Sequence, residues 1–206
     1  MTRQADPPAV LRLYSRIPRT RSLGPGLRFA LWVQGCPLRC PGCMTPDALP
    51  FDGGEPVPVA RLANEILAID DIEGVTVSGG EPFAQAAAVA DLMLRLRGQR
   101  DLGLIVYSGY RLAALRRLAR TDAGVSALLG QTDLLIDGPY LAAANDGAPL
   151  RGSSNQGILP LTDRYRERLA GDDHARHIEV HVEIGVRMLV GIPSRRQLAW
   201  WLAQKG

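Results

Sequence analysis

Cys36, Cys40 and Cys43 fall within one short stretch, Cys36-Pro37-Leu38-Arg39-Cys40-Pro41-Gly42-Cys43, and they are the only 3 cysteines in a chain of 206 residues. The spacing is CxxxCxxC. Three thiolates on one tight loop can hold three corners of a cubane iron-sulfur cluster and leave the fourth iron without a protein ligand. An iron with an open position is a place for chemistry. Gly35 and Gly42 let the backbone approach a bulky inorganic core, and Pro37 and Pro41 discourage a helix through the ligands.

Other uses of three cysteines fit less well. A disulfide framework would use an even count in a secreted chain, and no charged-then-apolar signal segment precedes the loop. Structural zinc prefers four ligands, and the nearest histidine in sequence, His174, is far away. Zinc would therefore need a distant partner. A cluster is the favoured reading.

Beyond the cysteines stand further groups able to bind or orient a ligand. Pro82 in Gly79-Gly80-Glu81-Pro82 pushes Glu81 away from helical geometry, which lets its carboxylate accept an ammonium group beside the carbonyls of the glycine turn. An ordinary strand-to-helix turn would look the same. Ser108 and Gly109 offer a hydroxyl and a close backbone approach, or simply a tight turn. Asp137 can orient a ligand, bind a cation or cap a helix. Arg151, Ser153, Ser154 and Asn155 place a guanidinium, two hydroxyls and an amide in one glycine-containing loop; arginine suits a carboxylate and the others suit hydroxyls or backbone anchoring, but by themselves they read as an ordinary polar loop.

Taken together, Arg28-Phe-Ala-Leu-Trp-Val-Gln-Gly-Cys36, the cysteine loop and Gly79-Gly80-Glu81-Pro82 resemble the radical S-adenosylmethionine (SAM) superfamily. More closely, Gly24-Pro25-Gly26, Ser108-Gly109-Tyr110, Asp137-Gly138 and Arg151 to Gln156 resemble the small activating proteins of anaerobic ribonucleotide reductases, which are glycyl-radical activases. The resemblance spans roughly residues 24 to 156. It implies a [4Fe-4S] cluster on Cys36, Cys40 and Cys43, and SAM chelating the open iron and contacting Gly79, Gly80, Glu81, Pro82, Ser108, Gly109, Asp137, Arg151, Ser153, Ser154 and Asn155. It also implies reductive cleavage of SAM to methionine and a 5'-deoxyadenosyl radical, which takes hydrogen from a glycine of a partner glycyl-radical enzyme. The electron would come from a flavodoxin- or ferredoxin-type donor. One departure stands out: such activases often carry a lysine after Asp-Gly, and here Pro139 follows, which puts the substrate class in doubt. A radical SAM enzyme acting on a peptide or small molecule, and a non-catalytic cluster or zinc protein, are the alternatives.

The elements that must hold these groups alternate along the chain. Phe29 to Val33 reads as a strand leading into the cysteines, Val59 to Ile69 as a helix with Leu62, Ile66 and Ile69 on one face, and Val75 to Val77 as a strand. Phe83 to Arg97 follows as a helix, with Pro82 near its first turn, where a missing amide costs least. Leu104 to Tyr107, a helix from Arg111, and Leu134 to Ile136 repeat the pattern. This is the alternation of βαβ units and a parallel sheet, whose ligand end is where the strands' carboxyl ends meet their loops. The cysteines, Glu81, Ser108 and Asp137 each follow a strand. The resemblance implies an α/β fold in the form of a partial TIM-like barrel open along one side.

One domain over residues 1–206 is expected, with a core over 24–156 and an extension over 157–206 packed on the barrel; at 46% hydrophobic content no linker-like run divides the chain. In the extension, Ile178, Val180, Val182 and Ile184 alternate with His177, Glu179, His181 and Glu183, which predicts a strand with a buried apolar face and a solvated polar one. Gly185 then turns into a second strand over Arg187 to Val190. That alternation argues against a metal on His174, His177 and His181. Ser194 and Gln197 have capping-box spacing for a last helix carrying Trp200 and Trp201, either one packed inward and one facing a partner or subunit, or both covering the barrel's end. No apolar run reaches the length of a membrane span, and reduced thiols suit the cytoplasm, so a soluble cytoplasmic protein is expected. The formal net charge of +3 comes almost wholly from arginine, and 5% aromatic residues give few stacking platforms, so nucleic acid is not an expected partner. Arg12, Arg16, Arg19, Arg21 and Arg28 crowd the N-terminal region, where they would meet an acidic protein partner or stand solvated.

Overall fold

The computed structural model describes residues 9–170, 176–183 and 186–204. Its main sheet contains β1 (Val10–Thr20), β2 (Arg28–Val33), β3 (Glu55–Pro58), β4 (Gly74–Gly79), β5 (Gly103–Ser108), β6 (Leu134–Asp137) and β7 (Gly157–Pro160), in the order β3-β1-β2-β4-β5-β6-β7. The central strands β2, β4, β5 and β6 are parallel neighbours. Antiparallel strands close both flanks: β1 and β3 beside β2, and β7 beside β6. Helices α1 (Val59–Leu67), α2 (Ala86–Arg97), α3 (Leu112–Leu118) and α4 (Ala123–Gln131) lie in the crossovers. After the short helix α5 (Arg166–Ala170) come an antiparallel hairpin of β8 (Ile178–Glu183) and β9 (Val186–Gly191), and then α6 (Arg195–Ala203).

The period of two along each central strand sorts its side chains onto two apolar faces. Phe29, Leu31, Val33, Val75, Val77, Leu104, Val106 and Leu135 pack against the helix side chains Leu62, Ile66, Val89, Met93 and Leu128. On the other face, Ala30 meets Ile17, Leu23, Val190 and Ile192, while Ile105, Leu134 and Ile136 meet Tyr165. Strands covered on both faces read as continuous apolar runs, which is why they were legible in the sequence. The architecture is thus mixed α/β with a largely parallel centre and a C-terminal hairpin and helix.

Several elements depart from expectation. β1, β3 and β7 are sheet strands that the pattern did not announce. β1 carries arginines and Pro18, and its pairing with β2 slips between Leu13 and Ser15 and again between Ile17 and Thr20; β3 is an edge strand containing Pro56 and Pro58. The expected helix from Phe83 begins instead as a 3-10 turn, Pro82–Gln85, before α2, and α1 stops at Leu67, short of Ile69. Over residues 179–182 the faces are the reverse of those predicted: Val180 and Val182 are exposed, whereas Glu179 and His181 are half-buried and paired at 2.8 Å; His177 is exposed and Ile178 half-buried, as expected. Glu179 also accepts from the backbone N–H of Arg21, so the polar side of the strand is the one that docks. His174 and the Ile184-Gly185 turn lie outside the described residues. In α6, the Ser194 N–H donates to Gln197 Oε1 and the Gln197 N–H to Ser194 Oγ, and Trp201 packs inward while Trp200 faces out.

The N-terminal arginines are tied into the fold. Arg16 pairs with Glu55 and Glu65, Arg19 with Asp71, and Arg12 donates to the Gly53 carbonyl. Arg28 is fully buried, contrary to the surface role expected for it. Its guanidinium donates to Thr76 Oγ1, the Tyr165 hydroxyl and the carbonyls of Pro25, Val75 and Gly103, and it stacks over the Tyr165 ring. Dense donation to oxygens is what makes a buried guanidinium tolerable. It joins β2, β4 and β5 at their amino ends and reaches across to the segment before α5. Replacing it by methionine keeps the stem and leaves those acceptors unpaired. Arg28→Met is expected to cost about 2–4 kcal/mol of stability, measurable by urea unfolding; a loss below about 0.5 kcal/mol would contradict this role.

Candidate functional site

The cysteine loop leaves β2 and is closed at its base by backbone pairing. The Gly35 N–H donates to the Ala48 carbonyl and the Cys36 N–H to the Leu49 carbonyl, while Gln34 Nε2 donates to the carbonyls of Asp47 and Pro50. Between these stitches Arg39 (φ 47°) and Gly42 (φ 74°) take left-handed turns. All three cysteines are free, Cys36 buried and the others half-buried. The Thr45 N–H points at Cys43 Sγ at 3.4 Å. Burial pushes the thiols of Cys36 and Cys43 up, so any metal that binds them must displace protons.

The turn after β4 crosses directly over this loop. The Gly80 N–H donates to the Val33 carbonyl and the Glu81 N–H to the Gly35 carbonyl. A Cβ on Gly80 would lie 2.2 Å from the Gly35 carbonyl oxygen, and one on Gly79 (φ 101°) would lie 2.5 Å from the Val33 nitrogen. The double glycine is therefore required for two backbones to touch. Glu81 is extended (φ −120°, ψ 110°), as Pro82 demands, and its side chain turns inward to full burial. There its carboxylate accepts from the Phe83 N–H, the Gly109 N–H and the Ser108 hydroxyl, at 3.0, 2.9 and 2.9 Å. Gly109 makes room for Leu38 of the cysteine loop, whose Cδ1 would lie 2.4 Å from a Cβ at that position.

Asp137, at the end of β6, is nearly buried and accepts from the Leu112 N–H at the start of α3, the Gly157 N–H and the Arg111 guanidinium. It joins β6, β7 and α3. The 151–156 loop is likewise held internally. Ser153 Oγ accepts from the Leu141 N–H, Asn155 donates to the Pro139 carbonyl, and Arg151 pairs with Asp146 at 2.5 Å. Ser154 is exposed. Gln156, which sequence reasoning left out of the candidate set, accepts from the N–H groups of Gly152 and Ser153 and donates to the Gly138 carbonyl.

One cleft of about 860 Å³, its open mouth included, collects these strand ends. Cys36, Cys40 and Cys43 line it together with Gly79, Gly80, Glu81, Ser108 and Gly109. Of the 151–156 loop, Gly152 and Gln156 reach it; Pro82, Asp137, Arg151, Ser153, Ser154 and Asn155 do not line it. Gly191 and Ile192 complete the lining from the C-terminal extension, as does Tyr107 from β5. No pattern in the sequence pointed to Gly191 or Ile192, because their place depends on the hairpin folding back over the sheet. Among the described residues, no three His, Cys, Asp or Glu side chains gather as a single-ion site would. The cysteines frame a cleft rather than converge on a point, an arrangement that suits a multi-iron group with one iron per thiolate better than a single tetrahedral ion.

Comparison with known proteins agrees with this donor set. Residues 22–159 match the family described as the 4Fe-4S single cluster domain, and the chain belongs to it. Within that class it is similar to the anaerobic ribonucleoside-triphosphate reductase-activating protein of Vibrio cholerae, 33% identical over 148 residues that make up 68% of this chain and 91% of the relative. The Escherichia coli K12 protein of the same name is 29% identical over 67% of this chain and 91% of its own length. The pyruvate formate-lyase-activating enzyme of Staphylococcus aureus is 41% identical over 80 residues, 36% of this chain and 32% of that enzyme. Among the described residues no helix is long and apolar enough to cross a membrane.

Burial pushes the Glu81 carboxyl up to about 7, against the pull of its three donors. The unfolded chain releases this proton near 4.5, while the folded cluster-free protein keeps it until about 7. Stability should therefore fall as pH rises between those values and level off above the folded one, with a slope from this group of at most ~1.4 kcal/mol per pH unit. Glu81→Gln has no proton to release, and although less stable overall it should lack that component. Urea titrations of both proteins at stepped pH measure the difference; parallel pH profiles would rule out the assignment.

Proposed function

We propose that this protein is a radical SAM activase: it cleaves SAM reductively and uses the resulting 5'-deoxyadenosyl radical to take hydrogen from a glycine of a partner glycyl-radical enzyme, an anaerobic ribonucleoside-triphosphate reductase. The observation that carries this reading is the single cleft in which three free thiols meet the glycine turn after β4 and the Ser108-Gly109 corner after β5. When bound, a [4Fe-4S] cluster on Cys36, Cys40 and Cys43 would supply the electron for that cleavage and an open iron to anchor SAM.

The chain's own residues do the orienting. Gly79, Gly80, Ser108 and Gly109 form the wall against which SAM would lie. Glu81 and Pro82 set the geometry of that wall: the Glu81 carboxylate is fully buried on its three donors, and the SAM ammonium would meet the carbonyls of the glycine turn that it holds. Asp137, Ser153 and Asn155 enter this reading mainly by holding the far wall, through the hydrogen bonds of β6, α3 and the 139–141 segment, while Arg151, paired with Asp146, and the exposed Ser154 enter it as members of the same loop. Half-burial of the cysteine loop limits the access of water to a reactive radical. The Pro139 position is not empty of charge nearby: the Arg111 guanidinium lies over Gly138, about 3.0 Å from where a Cβ would be.

The same reading treats the chain as one domain in the cytoplasm, reduced by a flavodoxin- or ferredoxin-type donor. It also takes the sheet as an open barrel whose inner face is filled by Leu23, Tyr165, Val190 and Ile192. Support for the barrel is the second apolar face of the sheet.

Anaerobic reconstitution, chemical reduction and addition of SAM should yield 5'-deoxyadenosine, and each of Cys36→Ala, Cys40→Ala and Cys43→Ala should abolish it. Retained cleavage in a folded triple variant would sink the cluster assignment. A reducible cluster with no cleavage, by electron paramagnetic resonance and product analysis, would turn the reading toward electron transfer. Mixed with the partner reductase, the wild type should also generate a glycyl-radical signal.

A further inference from the structure

Tyr107 belongs to none of the motifs that announced the site. It is the penultimate residue of β5, beside Ser108. Val106 belongs to the helix-side core and Ile105 to the opposite face, so the period of two sends Tyr107 to that opposite face. There its ring packs with Trp32 and Met44 against Leu23, Val190 and Ile192, and it lines the same cleft as the three cysteines.

Its hydroxyl oxygen is sealed from solvent and has no hydrogen-bond partner among the described residues. Buried tyrosine hydroxyls normally find one. Two other buried polar atoms share this condition, Arg151 Nε and Asn155 Oδ1, but neither residue lines the cleft. Burial raises the Tyr107 phenol, which keeps it a donor, and the charges acting on it are the guanidiniums of Arg28 and Arg176. A donor in a cationic surrounding, on a residue that lines a cleft and with no acceptor among the described residues, is matched by an electron-rich oxygen on a ligand that enters the cleft.

We infer that Tyr107 is a SAM-binding residue whose hydroxyl donates a hydrogen bond to an oxygen of the bound molecule, either its carboxylate or a ribose hydroxyl. The inference rests on the cleft being a SAM site. Tyr107→Phe removes one atom and no hydrogen bond among the described residues, so the free protein should melt at the same temperature as the wild type or slightly higher. The same variant should bind SAM about tenfold more weakly.

The test is a SAM titration by equilibrium dialysis of cluster-loaded wild type and Tyr107→Phe, with cluster content checked by absorbance and thermal melts recorded without SAM. Parallel titrations with methionine and with 5'-deoxyadenosine assign the oxygen: weaker methionine binding by the variant identifies the carboxylate, and weaker 5'-deoxyadenosine binding the ribose. Undiminished SAM affinity in Tyr107→Phe overturns the inference. So does a clear drop in its melting temperature, because that would reveal an internal partner for the hydroxyl. A wild type that carries its cluster and binds no SAM overturns the reading of the cleft itself, an outcome visible before any variant is made.

Discussion

The burial of one carboxylate organises this site. Glu81 receives two backbone N–H groups and a hydroxyl, and its own N–H reaches the Gly35 carbonyl. Those contacts join the exits of β2, β4 and β5 at a single residue. Removing a carboxylate from water is costly unless donors replace its hydration, and three of them do so here. Because the hydroxyl and one N–H come from the end of β5, satisfying the carboxylate draws β5 to the turn after β4, and the Glu81 N–H adds the exit of β2. The cysteine loop then has a fixed floor, and the double glycine is the sequence requirement for that floor to lie close enough.

A second buried charge performs the corresponding task at the amino ends of the same strands. The Arg28 guanidinium holds β2, β4 and β5 through carbonyls and a threonine hydroxyl, with the Tyr165 ring against it. The parallel strands are thus joined at one end by an acceptor and at the other by a donor. Between the two, the strand interiors are aliphatic and need only packing. This division explains how a sheet of short strands keeps its register while its carboxyl ends remain free to carry glycine turns and polar residues.

The C-terminal extension finishes what the parallel strands begin. A sheet with two apolar faces needs two covers. Helices α1, α2 and α4 supply one, and β9 with Leu23 and Tyr165 supplies the other. The second cover also brings Gly191 and Ile192 to the cleft, so the extension is part of the site's wall as well as a lid on the core. Docking through the polar side of β8 leaves Val180 and Val182 exposed, since Glu179 and His181 are the residues that face the body of the protein.

The chemistry was legible in the sequence because it depends on residue types at short spacing. CxxxCxxC, Gly-Gly-Glu-Pro and the runs of Val, Leu and Ile that make parallel strands are local signals, and the four central strands and the capping box of α6 fell where those signals put them; the crossover helices did so except at their ends and in the division of the one expected from Arg111 into α3 and α4. Three things needed the tertiary structure. Arginines cannot be sorted by sequence into surface and core, and Arg28 is buried because carbonyls from two strands and from Pro25 ahead of β2 converge on it. Flanking strands carrying proline or arginine resemble loops until a neighbour pairs with them, as β1, β3 and β7 do. Glu81 and Asp137 look like groups waiting for a ligand, but whether a carboxylate meets a ligand or a backbone N–H is decided by contacts between residues as far apart as Glu81 and Gly109 or Asp137 and Leu112. Local pattern determined which chemistry the chain can hold, and long-range hydrogen bonding decided which of its polar groups hold the walls and which face the cleft.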